Sequence, residues 1–304
     1  MVGSDHRERT AWVALLGHAP SRSSQRLLTR RAVGSGSSLA VLRTQLGQPT
    51  LLDDPVENAL RAAQEHITAW ERTGITVLTF DDADFPARLR TTHDMPGVLF
   101  GRGTMAPQEE SVSVVGSRAA SPFGLRTAGL LAHGLARDGI TVVSGLASGI
   151  DASAHRGALA ANGRTVGIIG TGIRHAHPEE NRRLHSEVAA AGAVLSQFWP
   201  DTPPDRTTFP ARNATMVGYA AATVVVEAGE HSGARIQARE AVEHGRPVLL
   251  MRPVLDRVSW AQQFLRCSDV HVAQDVDDAL RTLREIIDRP KDPRRPYDSL
   301  ADAR

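Results

Sequence analysis

Four stretches of the chain combine glycine, hydroxyl side chains and arginine in a way that could hold a phosphate. They are "VVGSRAASPFG", "VVSGLASGID", "IIGTGIRHAHP" and "VVEAGEHSGA". Each follows a run of Val and Ile. Glycine lets backbone approach a ligand closely, and the first turn of a following helix presents N–H groups that favour an anion. The positions expected to act in this way are Gly116, Ser117, Arg118, Ser144, Gly145, Gly149, Gly170, Thr171, Gly172, Arg174, Ser232, Gly233 and Arg235. Arg212 and Asn213 join them from "PPDRTTFPARNATM". Arginine suits phosphate because its planar fork donates two parallel hydrogen bonds. A rim this basic fits a run of phosphates better than one small neutral ligand.

Other chemistries match the spacing less well. "GLASG" is not GxSxG, since Ser148 falls one place late for a nucleophile elbow. It is not GxGxxG either, so the dinucleotide fingerprint is missing. Asp151 and His155 stand four apart, a spacing that fits an acid and its orienter or a purely structural role such as a hydrogen bond or a carboxylate at a helix N-terminus. His175, His177 and His185 lie near Glu179 and Glu180, but no HExxH or comparable ligand spacing is present, so no metal is expected. The only lysine is Lys291. A Walker A loop and a lysine Schiff base each need a lysine inside the fold, and both are excluded on that ground.

The elements that must position these loops follow from periodicity. From Ser111 onward, short β-branched runs alternate with helical stretches. The runs are "SVSVVG", "ITVVSG", "RTVGIIG", "GAVLSQ", "ATVVVEA", "RPVLLM" and "DVHVAQ"; the helices are expected at 124–137, 152–161, 179–191 and 234–244. Near-continuous Val and Ile means strands buried on both faces. Their alternation with helices predicts an α/β fold, a Rossmann-like, doubly wound, mostly parallel sheet. Ligands in such sheets bind at the carboxyl ends of the strands, where all four loops fall.

Ahead of this core, residues 1–72 read as a small helical domain of SAM or helix-hairpin-helix type. Residues 73–288 form the core, and the Pro-rich, charged 289–304 is expected to be a disordered tail. Between Arg22 and Arg43 there are arginines and no acid. Arg22, Arg26 and Arg30 share one helix face by their spacing. That face is either an ordinary solvated surface or a secondary contact for a polyanion.

Composition sets the remaining bounds. The 304 residues carry a net charge of +1 and 41% hydrophobic residues, ordinary for a globular protein. No apolar run is long enough to span a membrane, and "MVGSDHRERT" lacks the layout of a signal peptide. Cys267 is the only cysteine, which excludes an internal disulfide framework and a Cys-rich zinc site. A cytoplasmic location is expected.

Taken together, "VSVVGSRAASPFG", "ITVVSGLASGIDASAHRGALAANGRTVGIIGTGI", "HPEENRRL", "PPDRTTFPARN" and "VVVEAGEHSGARIQARE" resemble the DNA-processing protein DprA (Smf) family. The resemblance covers roughly residues 10 to 280. It implies a non-enzymatic protein without a cofactor. Such a protein binds single-stranded DNA in a basic pocket, loads the RecA recombinase in natural transformation and forms a homodimer. Arg118 matches a DNA-contacting arginine, Arg212 and Asn213 open the Arg-Asn-Arg motif, and Arg174 lies in a loop that often carries a basic contact. The chain departs from the pattern at Ser148 and Ala214, where arginines are usual, and in "SGARIQ" and the segment after "RPVLLM". A nucleotide-binding sensor or a phosphoribohydrolase-like enzyme is the alternative, although "EAGEHSG" stands where such hydrolases carry PGGxGT.

Overall fold

The computed structural model describes residues 2–49 and 53–289. The tail expected over 289–304 therefore lies, beyond Arg289, outside the described residues. The chain begins with helices α1 (Val2–Gly17), α2 (Arg22–Ser35), α3 (Ser38–Leu46) and α4 (Pro55–Arg72). Their ends follow local chemistry. Ser21 caps α2 by accepting from Ser24 N–H, and Gly36 ends it in the left-handed conformation. Asp54 caps α4 ahead of Pro55.

The antiparallel pair β1 (Thr76–Thr79) and β2 (Val98–Gly103) comes next, with a 3-10 turn at Ala87–Thr91 between them. The alternating core then runs β3 (Ser111–Gly116), α5 (Pro122–Arg137), β4 (Thr141–Ser144), α6 (Ile150–Ala160), β5 (Thr165–Ile168), α7 (Arg182–Ala191) and β6 (Ala193–Ser196). It continues through α8 (Thr208–Tyr219), β7 (Ala222–Glu227), α9 (Gly233–Glu243), β8 (Val248–Met251), α10 (Arg252–Arg257), α11 (Ser259–Phe264), β9 (Val270–Ala273) and α12 (Val276–Ile287). The expected helices are present within one to three residues. One difference is α8, which sequence periodicity did not indicate.

All strands join one sheet in the order β1-β2-β6-β5-β4-β3-β7-β8-β9. From β6 to β9 every pairing is parallel, and β2 pairs antiparallel with β6. The fold is a mostly parallel α/β sheet of Rossmann-like type. Its strand order reverses between β3 and β7. Right-handed crossovers then place α5 and α9 on opposite faces of the sheet, so the loops after β3 and β7 part and leave a crevice at their carboxyl ends.

Strands β4, β5, β7 and β8 are buried at every position, and β3 at all but its last, Gly116. One apolar cluster joins Val114, Leu131, Val142, Val224 and Leu249 across the sheet. A second joins Trp12, Leu15, Leu42 and Ile67 of the N-terminal helices to Val77, Val98 and Phe100 of β1 and β2, and to Ile169 and Val194. Each such large side chain contributes about 1.5–3 kcal/mol by leaving water. The N-terminal helices are thus anchored on the sheet by a shared core, which places α2 near the site.

Candidate nucleic-acid interface

A cleft of about 650 Å³ opens where the strand order reverses. Its walls come from the β3–α5 loop (Gly116, Ser117, Arg118, Ala119), the start of α6 with the loop before it (Ala147, Asp151), the first two turns of α8 (Phe209, Pro210, Arg212, Asn213), and the β7–α9 region (Gly229, His231, Ser232, Gly233, Ala234, Ile236, Gln237). Of the positions expected from sequence, Gly116, Ser117, Arg118, Arg212, Asn213, Ser232 and Gly233 line this cleft.

Arg118 is exposed at the rim, its guanidinium carbon 5.1 Å from the centre of the Phe209 ring. The loop that carries it is clamped to β7. Ser117 N–H donates to the Glu227 carbonyl at 2.8 Å, Ser121 N–H donates to a Glu227 carboxylate oxygen at 2.8 Å, and the Ser121 hydroxyl donates to the other. Ser121 also caps α5 through Gly124 N–H. Glu227 is therefore a positioning residue for Arg118 that sequence patterning did not single out.

Arg212 lies on the cleft floor and is 5% exposed. Its Nη1 donates to the Ile168 carbonyl at 2.6 Å, while its buried Nε makes no hydrogen bond. Burial pushes its pKa down, the nearby Asp151 carboxylate works against that, and Arg118 adds to it. Burial pushes the Asp151 carboxyl up, opposed by Arg212 and by the N–H of Gly145, which donates to Asp151 Oδ2 at 3.1 Å. A guanidinium with unused donor capacity beside a cleft is suited to an anionic oxygen. Asn213 lines the cleft beside it.

The remaining expected positions play supporting parts. Ser144 is fully buried and donates to the Val114 carbonyl at 2.7 Å. Gly145 is packed against the Arg212 guanidinium, which a Cβ there would strike. Gly149 has φ +77° and lies against the carbonyls of Ser117 and Arg118. Gly170 abuts the Phe209 ring, and Gly172 abuts the carbonyls of Trp199 and Pro200. Thr171 is buried, and its carbonyl accepts from Ser196. The β5–α7 loop therefore supports the wall of the cleft from behind and does not line it. Arg174 is paired with Asp201 at 2.8 Å, and Arg235 is exposed on α9 outside the lining.

The glycine loops were expected to turn free N–H groups towards a phosphate. Several of these groups are already engaged inside the protein: Ser117 N–H by Glu227, Gly145 N–H by Asp151, and Gly172 N–H by the Thr202 carbonyl at 2.8 Å. Most of the glycines serve close packing between loops. At the start of α9, Ser232 N–H donates to the Gly229 carbonyl and Ala234 N–H to the Ser232 hydroxyl, each at 3.2 Å, which leaves Gly233, exposed with open space around it, at the cleft.

Asp151 and His155 are not joined by any hydrogen bond. His155 is fully buried, its Nδ1 shares a 2.7 Å hydrogen bond with Thr165 Oγ1, and burial pushes it down to about 3, so it is neutral at physiological pH. Among the described residues, no group of His, Cys, Asp and Glu is placed to hold a metal ion. Ser148 donates to Glu180 at 2.6 Å at the exposed edge of its loop. Phe209 escaped sequence reasoning because overall aromatic content, 4%, does not say where an aromatic falls. Its place between two arginine-bearing loops was the available signal.

Residues 76–284 match the family model of DNA recombination-mediator protein A. The chain belongs to that family. It is 33% identical over 210 residues to the DNA processing protein DprA of Bacillus subtilis, a match covering 68% of this chain and 70% of that protein. It is 38% identical over 194 residues to the protein Smf of Escherichia coli, covering 63% of this chain and 52% of that protein. The chain thus spans about half the length of the E. coli relative. Among solved structures, DNA processing protein A from Streptococcus pneumoniae superposes with a TM-score of 0.72 at 26% identity, over 90% of this chain and 97% of that one. The family match includes β1 and β2 and every loop of the cleft, and ends within α12. Among the described residues, no helix is long and apolar enough to cross a membrane.

Proposed function

We propose that this protein binds single-stranded DNA in the cleft between β3 and β7, protects incoming DNA, and hands it to the RecA recombinase during natural transformation. The observation that carries the reading is the pairing of Arg118 at the rim with the buried Arg212 on the floor of one cleft. Two guanidinium groups at different depths, with the Phe209 ring beside that of Arg118, suit a phosphodiester strand whose base lies against a ring. Membership of a recombination-mediator family supports the same reading. So does the Helicobacter pylori DNA processing protein A of this fold, whose structure describes a single-stranded DNA binding mode. Within this proposal the protein works by binding and not by turnover, and acts as a homodimer.

Binding of a dT oligonucleotide measured across a salt series tests the site. Each phosphate contact contributes about −0.7 to the slope of log K against log salt. Replacing Arg118 and Arg212 together by Ala should weaken binding and flatten that slope by about 1.4. An unchanged affinity and slope would remove these residues from the interface. Calorimetry with mononucleotides separates the sensor alternative: tight mononucleotide binding without oligonucleotide binding would replace the present reading.

A further inference from the structure

The cleft has the dimensions of a site for a compact ligand, on the order of 300–1,000 Å³, so only a short piece of a DNA strand can lie within it. A longer strand has to leave the cleft, and the surface beside one wall is prepared for it. The first turn of α8 separates the cleft from a second, much smaller pocket of about 50 Å³. Phe209, Pro210, Arg212 and Asn213 face the cleft, whereas Ala211 lines this pocket with Arg22, Gln25 and Arg26 of α2 and Trp199. Arg22 donates to the Thr207 hydroxyl immediately ahead of α8. The α2 helix is therefore joined to the segment that carries Arg212.

Along α2, Arg22, Arg26 and Arg30 run in one line from this junction. Arg26 and Arg30 both face Asp94, at 3.6 and 3.5 Å, with side chains 45% and 59% exposed. One carboxylate thus balances two guanidinium groups. Arg31 and Arg206 are exposed beside them, and no ion pair joins either to an acid among the described residues. Asp205, next to Arg22, and Glu240, which faces Arg26 and Asp94, are the further acids near this row. The surface keeps an excess of positive charge that surface ion pairing does not cancel, and exposed arginines in a row favour a polyanion.

We propose that single-stranded DNA leaving the cleft crosses the first turn of α8 and continues along α2, where Arg22, Arg26 and Arg30 contact its phosphates as a second binding segment. This inference rests on DNA binding in the cleft. It predicts that the protein holds a strand longer than the cleft can enclose and that the gain in affinity with strand length comes from α2.

The test compares dT6 with dT25 on the full chain. The parent should bind dT25 more tightly than dT6 by more than the statistical gain from extra registers. The triple variant Arg22→Gln, Arg26→Gln, Arg30→Gln should keep dT6 affinity, which also reports an intact cleft. It should lose tenfold or more on dT25, with the salt slope falling by about 2. Asp94→Asn, which frees Arg26 and Arg30, should act in the opposite sense and tighten dT25 without changing dT6. Parental dT25 affinity and slope in the triple variant, with dT6 still bound, would overturn the α2 segment alone. Failure of the parent to bind either oligonucleotide would overturn the cleft reading and this inference together.

Discussion

Replacing Gly145 by Ala tests whether loop backbone sets the position of the cleft's buried guanidinium. Gly145 is not among the glycines with positive φ, so alanine introduces no backbone strain. The three atoms nearest to an added Cβ all belong to the Arg212 guanidinium. The side chain must therefore move, and in moving it gives up its 2.6 Å hydrogen bond to the Ile168 carbonyl. The fold should survive, because the clash is with the far end of a side chain. An uncompensated carbonyl costs about 1–3 kcal/mol, a fall of roughly 2–4 °C in Tm per kcal/mol for a domain of this size. In DNA binding, one charge-assisted contact is worth about 1.5–3 kcal/mol, so Kd should rise by roughly tenfold to a hundredfold. Fluorescence anisotropy with a dT oligonucleotide across a salt series measures both the loss and a slope flattened by about 0.7. Arg212→Ala should give a similar loss. Because both changes act through one guanidinium, the double variant should be no worse than Arg212→Ala. Parental binding by Gly145→Ala, or losses that simply add in the double variant, would refute the idea that Gly145 acts by placing Arg212.

Further substitutions examine other parts of the site. Ser148→Arg adds a cation beside Glu180 at the loop's exposed edge. It should tighten dT binding about twofold to fivefold at low salt and steepen the salt slope; a parental slope would show that this edge does not meet the strand. Phe209→Ala removes the ring under Arg118 and should weaken binding by about 1–3 kcal/mol if a base stacks there, and undiminished affinity would take the ring out of the interface. Glu240 offers a pH test of stability: burial pushes its carboxyl up from 4.5 to about 7. Between those values the folded state holds a proton that the unfolded state releases, so stability falls as pH rises through this window. Glu240→Gln should raise Tm at pH 8 and leave it nearly unchanged at pH 4.5. Equal shifts at both pH values would be inconsistent with a raised carboxyl.

Much of the fold was legible because buried parallel strands advertise themselves. Runs such as "ATVVVE" have no polar alternation, and the seven runs of the core all became strands. The α8 helix was not legible for the converse reason. From Arg212 to Tyr219 every residue of it is buried, so no polar face marks a helical period, and Pro210 sits in its first turn. The arginine and asparagine of "FPARN" could be named, but their depth could not, since burial of Arg212 depends on Gly145 and Ile168 from other strands' ends. The ion pairs that occupy Arg174 and share out Arg26 and Arg30 were equally invisible, because Asp201 and Asp94 reach them through tertiary packing.

Glycine content illustrates the same limit and narrows the chemistry of the site. In sequence, each Gly-rich loop looks able to offer backbone N–H groups to a phosphate. In the fold, Gly145 and Gly170 are small so that the Arg212 guanidinium and the Phe209 ring can lie against them, and Gly149 is small so that its loop can touch the carbonyls beside Arg118. Their shared effect is to bring two arginines and an aromatic ring onto facing walls. With the N–H groups of Ser117, Gly145 and Ser232 already taken, and Ala234 N–H capped by the Ser232 hydroxyl, anion recognition falls to the guanidinium groups and to the exposed Gly233 at the start of α9. Under the proposed reading, a site built this way binds phosphate mainly through charge. Its affinity should therefore depend steeply on salt and little on base sequence, apart from what stacks on Phe209.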